Sequence, residues 1–225
     1  MHYNVAVILG PLDSLEDALA PFDENLEVEA YIDRTRQDII DDAKSMKARI
    51  EESPSDYEDD IRKKFTQAKT DDELYQCMVN EYCEYDDEGN LLSTYNPNSR
   101  WDWWELGGRW SNKLKLKNGE SADRAPLKNV DFSDNDEIYY EVLNWWKENV
   151  EGEDTASALS YSEKYTAEEL ARIRCKFYTC VVLVDGKWYS SDDFPSENDW
   201  IKDFYSRFIK GRNPNDIINI VDCHI

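Results

Sequence analysis

The sequence predicts an α+β fold: an antiparallel sheet with helices on one face, in the manner of a ferredoxin-like core, within a single domain of residues 1–225 that carries an acidic helical insertion at residues 33–90. Both ends of the chain read as strands, and apolar rows at helical spacing lie between them. Residues 2–9 alternate, with Tyr3, Val5, Val7 and Leu9 on one face and Asn4, Ala6 and Ile8 on the other. Both faces are mostly apolar, as in a central strand. Residues 216–225 form the closing strand, and residues 176–184, apolar on both faces, form another central one. Asp185-Gly186 turns the latter into a hairpin with residues 187–190.

Between the terminal strands, Gly10-Pro11 ends the first one, residues 14–20 make a short helix, residues 21–25 a loop and residues 26–32 an extended piece. A helix is expected over residues 33–52, because Ile39, Ala43, Met46 and Ile50 recur four, three and four apart. A charged helix follows at residues 57–68 through Ile61 and Phe65. A third opens at Thr70-Asp71-Asp72-Glu73, a capping box, and turns Leu74, Cys77, Met78 and Tyr82 inward. Residues 110–117 alternate as an edge strand with Lys113, Lys115 and Lys117 outward, and Asn118-Gly119 makes a hairpin. Residues 136–150 are helical through Ile138, Val142, Trp146 and Val150, residues 152–165 read as loop, and Thr166 to Glu169 caps a short helix. Ser196 caps the last helix, whose buried row is Trp200, Phe204 and Phe208 and whose stop is Gly211.

Charge narrows the partners. The formal net charge is −23, and residues 1–100 hold 25 acidic and 10 basic side chains. That balance disfavours direct binding to a nucleic-acid backbone, which needs a basic footprint, and to an acidic membrane surface. A basic protein surface, or solubility alone, fits the acidity. No apolar run is long enough to span a bilayer, and the N-terminus lacks the basic region of a signal peptide. Five cysteines without a Cys-x-x-Cys pair point to a reducing cytoplasm rather than a disulfide framework or a structural zinc site.

Two constellations are candidates for chemistry. Residues 95–110 gather four of the eight tryptophans. Trp101, Asp102, Trp103 and Trp104 are followed by Gly107 and Gly108, which allow close backbone approach, and by Arg109, a planar fork of donors. These residues read either as the core of a small sheet or as a pocket for a flat anionic ligand. The second constellation comes from the expected topology: in a ferredoxin-like arrangement the first and last strands are antiparallel neighbours, which brings His2 beside His224, with Asp222 on the same face as His224. His2, Asp222 and His224 are residue types suited to metal binding or to general acid–base work. No nucleophile elbow, zinc helix or dinucleotide fingerprint is present, so no catalytic residue, metal ligand or cofactor is assigned.

Three blocks carry a resemblance. His2-Tyr3-Asn4-Val5 with residues 19–25, the run Asn96-Pro97-Asn98-Ser99-Arg100-Trp101-Asp102-Trp103-Trp104 with Gly107-Gly108-Arg109-Trp110, and Val221-Asp222-Cys223-His224-Ile225 resemble a family of uncharacterised bacteriophage and prophage proteins. The resemblance implies expression in the cytoplasm of an infected bacterium. Combined with the acidic helices, it suggests an accessory protein that antagonises a host defence protein by offering Glu51, Glu52, Asp59 and Asp60 to a basic surface. The alternative is a small-molecule, nucleotide-binding or hydrolytic module built on the tryptophan and arginine stretch with the terminal histidines.

Overall fold

The computed structural model describes residues 1–225. Its elements in chain order are β1 (His2–Leu9), α1 (Leu15–Leu19), β2 (Tyr31–Arg34), α2 (Arg36–Glu52), α3 (Asp59–Gln67), α4 (Asp71–Met78), β3 (Leu91–Ser93) and β4 (Trp103–Leu106). Then come β5 (Leu114–Lys115), β6 (Ser121–Ala122), β7 (Arg124–Pro126), α5 (Asp136–Asn149), α6 (Ala156–Lys164), α7 (Ala167–Arg174), β8 (Val181–Val184), β9 (Lys187–Ser190), α8 (Glu197–Phe204) and β10 (Ile217–His224). No helix is long and apolar enough to cross a membrane.

The chain divides into two compact units, one of Met1–Glu24 with Asn98–Ile225 and the other of Asn25–Pro97. The second is wider than the 33–90 segment marked by helical periodicity, because β2 and β3 pair with each other as a small sheet of their own.

The first unit is built on a sheet of order β4-β10-β1-β8-β9, with β7 also on β10. Strand β1 pairs antiparallel with β10 along its whole length, from His2 opposite His224 to Leu9 opposite Ile217. On its other side β1 runs parallel to β8, Val5 opposite Val181. A ferredoxin-like sheet would be antiparallel here. The long stretch between β1 and β8 supplies the crossover that a parallel pair requires. Asp185 (φ 51) and Gly186 (φ 69) close the β8–β9 hairpin with two positive φ angles, the primed turn that suits strand twist.

Alternation sorts the strands between two cores. Ala6, Ile8, Val182, Val184, Ile218 and Ile220 meet Ile173 of α7 and Trp200, Ile201 and Phe204 of α8. Val5, Val7, Val181, Leu183, Val221 and Cys223 meet Leu15 and Leu19 of α1, with Phe22 and Trp101. Helical cover therefore lies on both faces rather than one, because the central strands are apolar on both and each face has to be shielded from water. Trp200 is fully buried, and its Nε1–H donates to the Thr179 carbonyl at 2.7 Å.

Several expectations are corrected. Residues 152–165 contain α6, started by Thr155, whose hydroxyl accepts from Ala158 N–H. Tyr82 lies beyond the end of α4 and is exposed. Residues 110–113 are not strand, since Gly108–Trp110 is a 3-10 turn and only Leu114–Lys115 pairs with β6. Residues 176–180 likewise precede β8. Helix α8 runs into a π turn over Tyr205–Ile209, which places Phe208 and Ile209 in the core.

The second unit packs α2, α3 and α4 around Ala43, Ile50, Phe65, Ala68 and Leu74. Thr35 and Thr70 close capping boxes with Asp38 and Glu73. Glu51, Glu52, Asp59 and Asp60 are exposed, and Asp59 is paired with Arg62. Residues 25–97 hold 20 acidic and 9 basic side chains, leaving 29 and 17 in the first unit. The negative surplus is thus shared nearly equally, although it is denser in the smaller unit.

Truncating Ile220, which is fully buried where β10 crosses the core, is expected to cost about 2–5 kcal/mol, read as a shift in urea midpoint. Leu12→Ala, at a site 97% exposed, should stay within about 0.5 kcal/mol.

Candidate functional site

The register of β1 and β10 delivers two imidazoles to one place. His2 and His224 are directly opposed, and their ring centroids are 4.9 Å apart at an interplanar angle of 62°. Both project from the sheet face that carries Ala6, Ile8, Ile218 and Ile220, at the end where that core stops.

Each ring is held by its own carboxylate. His2 Nδ1 lies 2.8 Å from Asp222 Oδ1, and His224 Nδ1 lies 2.8 Å from Asp102 Oδ1. Asp222 reaches His2 rather than its strand neighbour His224, because it sits diagonally across the ladder, opposite Asn4. A carboxylate oxygen accepts, so each Nδ1 is the donor, and Nε2 is the ring nitrogen left over for other partners. The hydrogen bond from His224 holds the Asp102 carboxyl below the usual range, chiefly as a side-chain donor and secondarily through charge. The Asp102 N–H donates to the His224 carbonyl at 3.0 Å, so main chain and side chain fix the same pair.

Asp222 is 1% exposed and is satisfied by two donors, His2 on Oδ1 and the Arg109 backbone N–H on Oδ2 at 3.0 Å. The Gly-Gly pair makes the second contact possible. A Cβ on Gly108 would stand 2.4 Å from the Asp222 Cβ, and one on Gly107 would stand 2.5 Å from Asp123 Oδ2. Both glycines also have positive φ, 75° and 51°. The turn therefore lies between two carboxylates with no room for side chains. The Arg109 side chain is exposed and forms no ion pair, so the backbone of this residue is what serves the site.

The tryptophan stretch divides between the two readings. Trp101 is core: it is buried against Leu19 and Phe22, and its Nε1–H donates to the Leu19 carbonyl at 3.1 Å. Trp104, opposite Cys223 on β10, packs on that same core. Trp110 packs on the other one. Trp103, opposite His224, is 46% exposed and stands 6.0 Å from the His2 ring at a steep angle. It forms an indole wall beside the paired imidazoles.

Cys223 alternates to the opposite face, where burial pushes its thiol pKa up to about 12. It is no nucleophile for this site. No cluster of three or more His, Cys, Asp or Glu side chains is arranged to hold a metal ion.

The site thus joins His2, Asp222, His224 and Trp103 with Asp102, whose service to His224 alternation alone did not reveal. Comparison with family models, with curated proteins and with solved structures returned no match to this chain.

Gly108→Ala should destabilise by more than the roughly 1–2 kcal/mol that positive φ alone costs an alanine. Gly119→Ala, at φ 86° with open space around it, should show only that backbone cost in the same denaturation assay. Cys223 predicts a pH effect with a definite sign. Its raised pKa contributes stability that is complete below the ordinary value, 9.0, and is lost as pH climbs toward about 12. Urea unfolding at pH 8 and pH 10 should show a decline of about 1 kcal/mol from this group, reduced in Cys223→Ala.

Proposed function

We propose that the chain is a hydrolase of small nucleotide phosphodiesters that works through paired general acid and base imidazoles. The observation supporting this reading is the side-by-side placement of His2 and His224, each tethered at Nδ1 by a separate carboxylate. Phosphodiester cleavage needs a proton removed from the attacking oxygen and another delivered to the leaving alkoxide, and two adjacent imidazoles in opposite protonation states supply both. With no side-chain nucleophile assigned, water attacks phosphorus. One Nε2 takes its proton, the other imidazolium protonates the departing oxygen, and exchange with solvent resets the pair. Asp222 and Asp102 orient the rings and stabilise whichever one is protonated. Trp103 offers a face on which a planar base stacks. The chain's net charge of −23 favours small, singly charged substrates over polymers.

The resemblance to bacteriophage proteins supports placing this reaction in the cytoplasm of an infected bacterium. A role as an antagonist docking on a basic host protein draws on the exposed carboxylates Glu51, Glu52, Asp59 and Asp60. Both units share the negative excess, so it singles out no docking face.

Purified protein is expected to cleave bis-p-nitrophenyl phosphate or 2′,3′-cyclic mononucleotides with a bell-shaped dependence of kcat/KM on pH. His2→Gln and His224→Gln should each lose about 10²–10⁴-fold in kcat with the circular dichroism spectrum intact. Trp103→Ala should raise KM by about ten-fold, from a stacking contribution of 1–3 kcal/mol. Undiminished turnover in both histidine variants, or no turnover across the panel, would refute the proposal.

A further inference from the structure

A second feature of the first unit runs against the charge of the whole. In a chain with 49 acidic and 26 basic side chains, Lys113, Lys115, Arg174 and Lys176 line a single cleft of about 160 Å³ in which Asp131 is the sole acid. Arg174 is paired with Glu197 at 2.6 Å and Lys176 with Asp134 at 3.5 Å. Lys113 and Lys115 have no ion pair. Lys113 is the telling member: its ammonium sits 5.6 Å from the Tyr178 ring centroid and 6.0 Å from that of Phe177, and burial lowers its pKa. A half-buried cation facing two rings and no carboxylate is favoured by an anion arriving from outside.

A second cleft of about 370 Å³ adjoins the first, with Ser133, Lys176 and Phe177 lining both. Aromatic rings furnish this second compartment. Phe132 lies 5.5 Å from Phe177 and 5.5 Å from Tyr205, and Tyr205 is 48% exposed. A compact cationic end joined to an aromatic compartment matches a ligand with a phosphate at one end and a flat ring at the other. We propose that this double cleft is a binding site for a nucleoside monophosphate, its phosphate between Lys113 and Lys115 and its base among Phe132, Phe177 and Tyr205. The site shares no residue with the histidine pair, and it stands whether or not that pair is hydrolytic.

The test is calorimetric titration of the full chain with AMP and, separately, with inorganic phosphate. Wild-type protein is expected to bind both, AMP more tightly, with affinity falling as salt rises. Lys113→Met should weaken both ligands at least ten-fold, and Lys115→Met should do the same should the first variant fold poorly. Phe132→Ala should weaken AMP while leaving phosphate unchanged, and His2→Gln should bind AMP as the wild type does. Absence of AMP binding at millimolar concentration, or equal binding by both lysine variants, overturns the proposal. So does loss of binding in His2→Gln, which would put the ligand at the imidazoles. Because the readout is binding and the decisive variants lie outside the histidine site, failure here is distinguishable from failure of the hydrolytic reading.

Discussion

The pairing of β1 with β10 is the constraint on which the first unit depends. Eight consecutive residue pairs join the two strands. The pair forms the middle of the sheet, with β8 and β9 on one flank and β4 and β7 on the other. Its alternation commits Ala6, Ile8, Ile218 and Ile220 to one core and Val5, Val7, Val221 and Cys223 to the other. A slip of one residue would exchange the faces of one strand, burying polar groups and exposing apolar ones. The same slip would turn one imidazole away from the other. The hydrophobic register and the geometry of the site are therefore one specification, and the packing that fixes the one also fixes the other.

Asp222 shows how a costly group is accommodated. Burying a carboxylate is unfavourable by several kcal/mol unless donors replace the lost water. Here an imidazole and a backbone amide do so, and the amide is available because glycine lets the turn approach. Removing either donor would leave a nearly inaccessible acceptor partly unsatisfied, which costs more than the hydrogen bond itself contributes. Both oxygens of the carboxylate are thereby engaged. The carboxylate fixes His2 from below, and the turn fixes the carboxylate from the side. Asp102, half in solvent, gives His224 a looser mount, reinforced by the main-chain bond between the same two residues.

Much of this was legible from patterning. Alternation marks residues 2–9 as a strand, and a ferredoxin-like arrangement makes the first and last strands antiparallel neighbours; β1 and β10 do pair in that way, and His2 meets His224. The capping signals at Thr70 and Thr166 correspond to real helix starts, because a capping box is a local hydrogen-bonding arrangement written in four residues. What local pattern could not supply was decided at long range. Which tryptophan faces the imidazoles depends on the register of β4 against β10, and the partnership of Asp102 with His224 joins residues 122 positions apart. The parallel β1–β8 pair was hidden because a strand apolar on both faces carries no information about direction. Helix α6 was missed because its sequence, Ala-Ser-Ala-Leu-Ser-Tyr-Ser, is weak in both helical periodicity and propensity, and tertiary packing of Ala158 stabilises it instead.

The sheet's topology also dictates an order of events in biosynthesis. Strand β1 leaves the ribosome before every other element named here, and β10, its longest partner, leaves after them. Through most of elongation β1 has one hydrogen-bonding edge without its eventual neighbour, and such an edge is open to mispairing and aggregation. Contacts of such wide separation form slowly, since loop closure precedes any reward. A polypeptide halted anywhere before β10 would hold a single imidazole and half a sheet. The paired imidazoles would thus come together only once β10 joins the sheet.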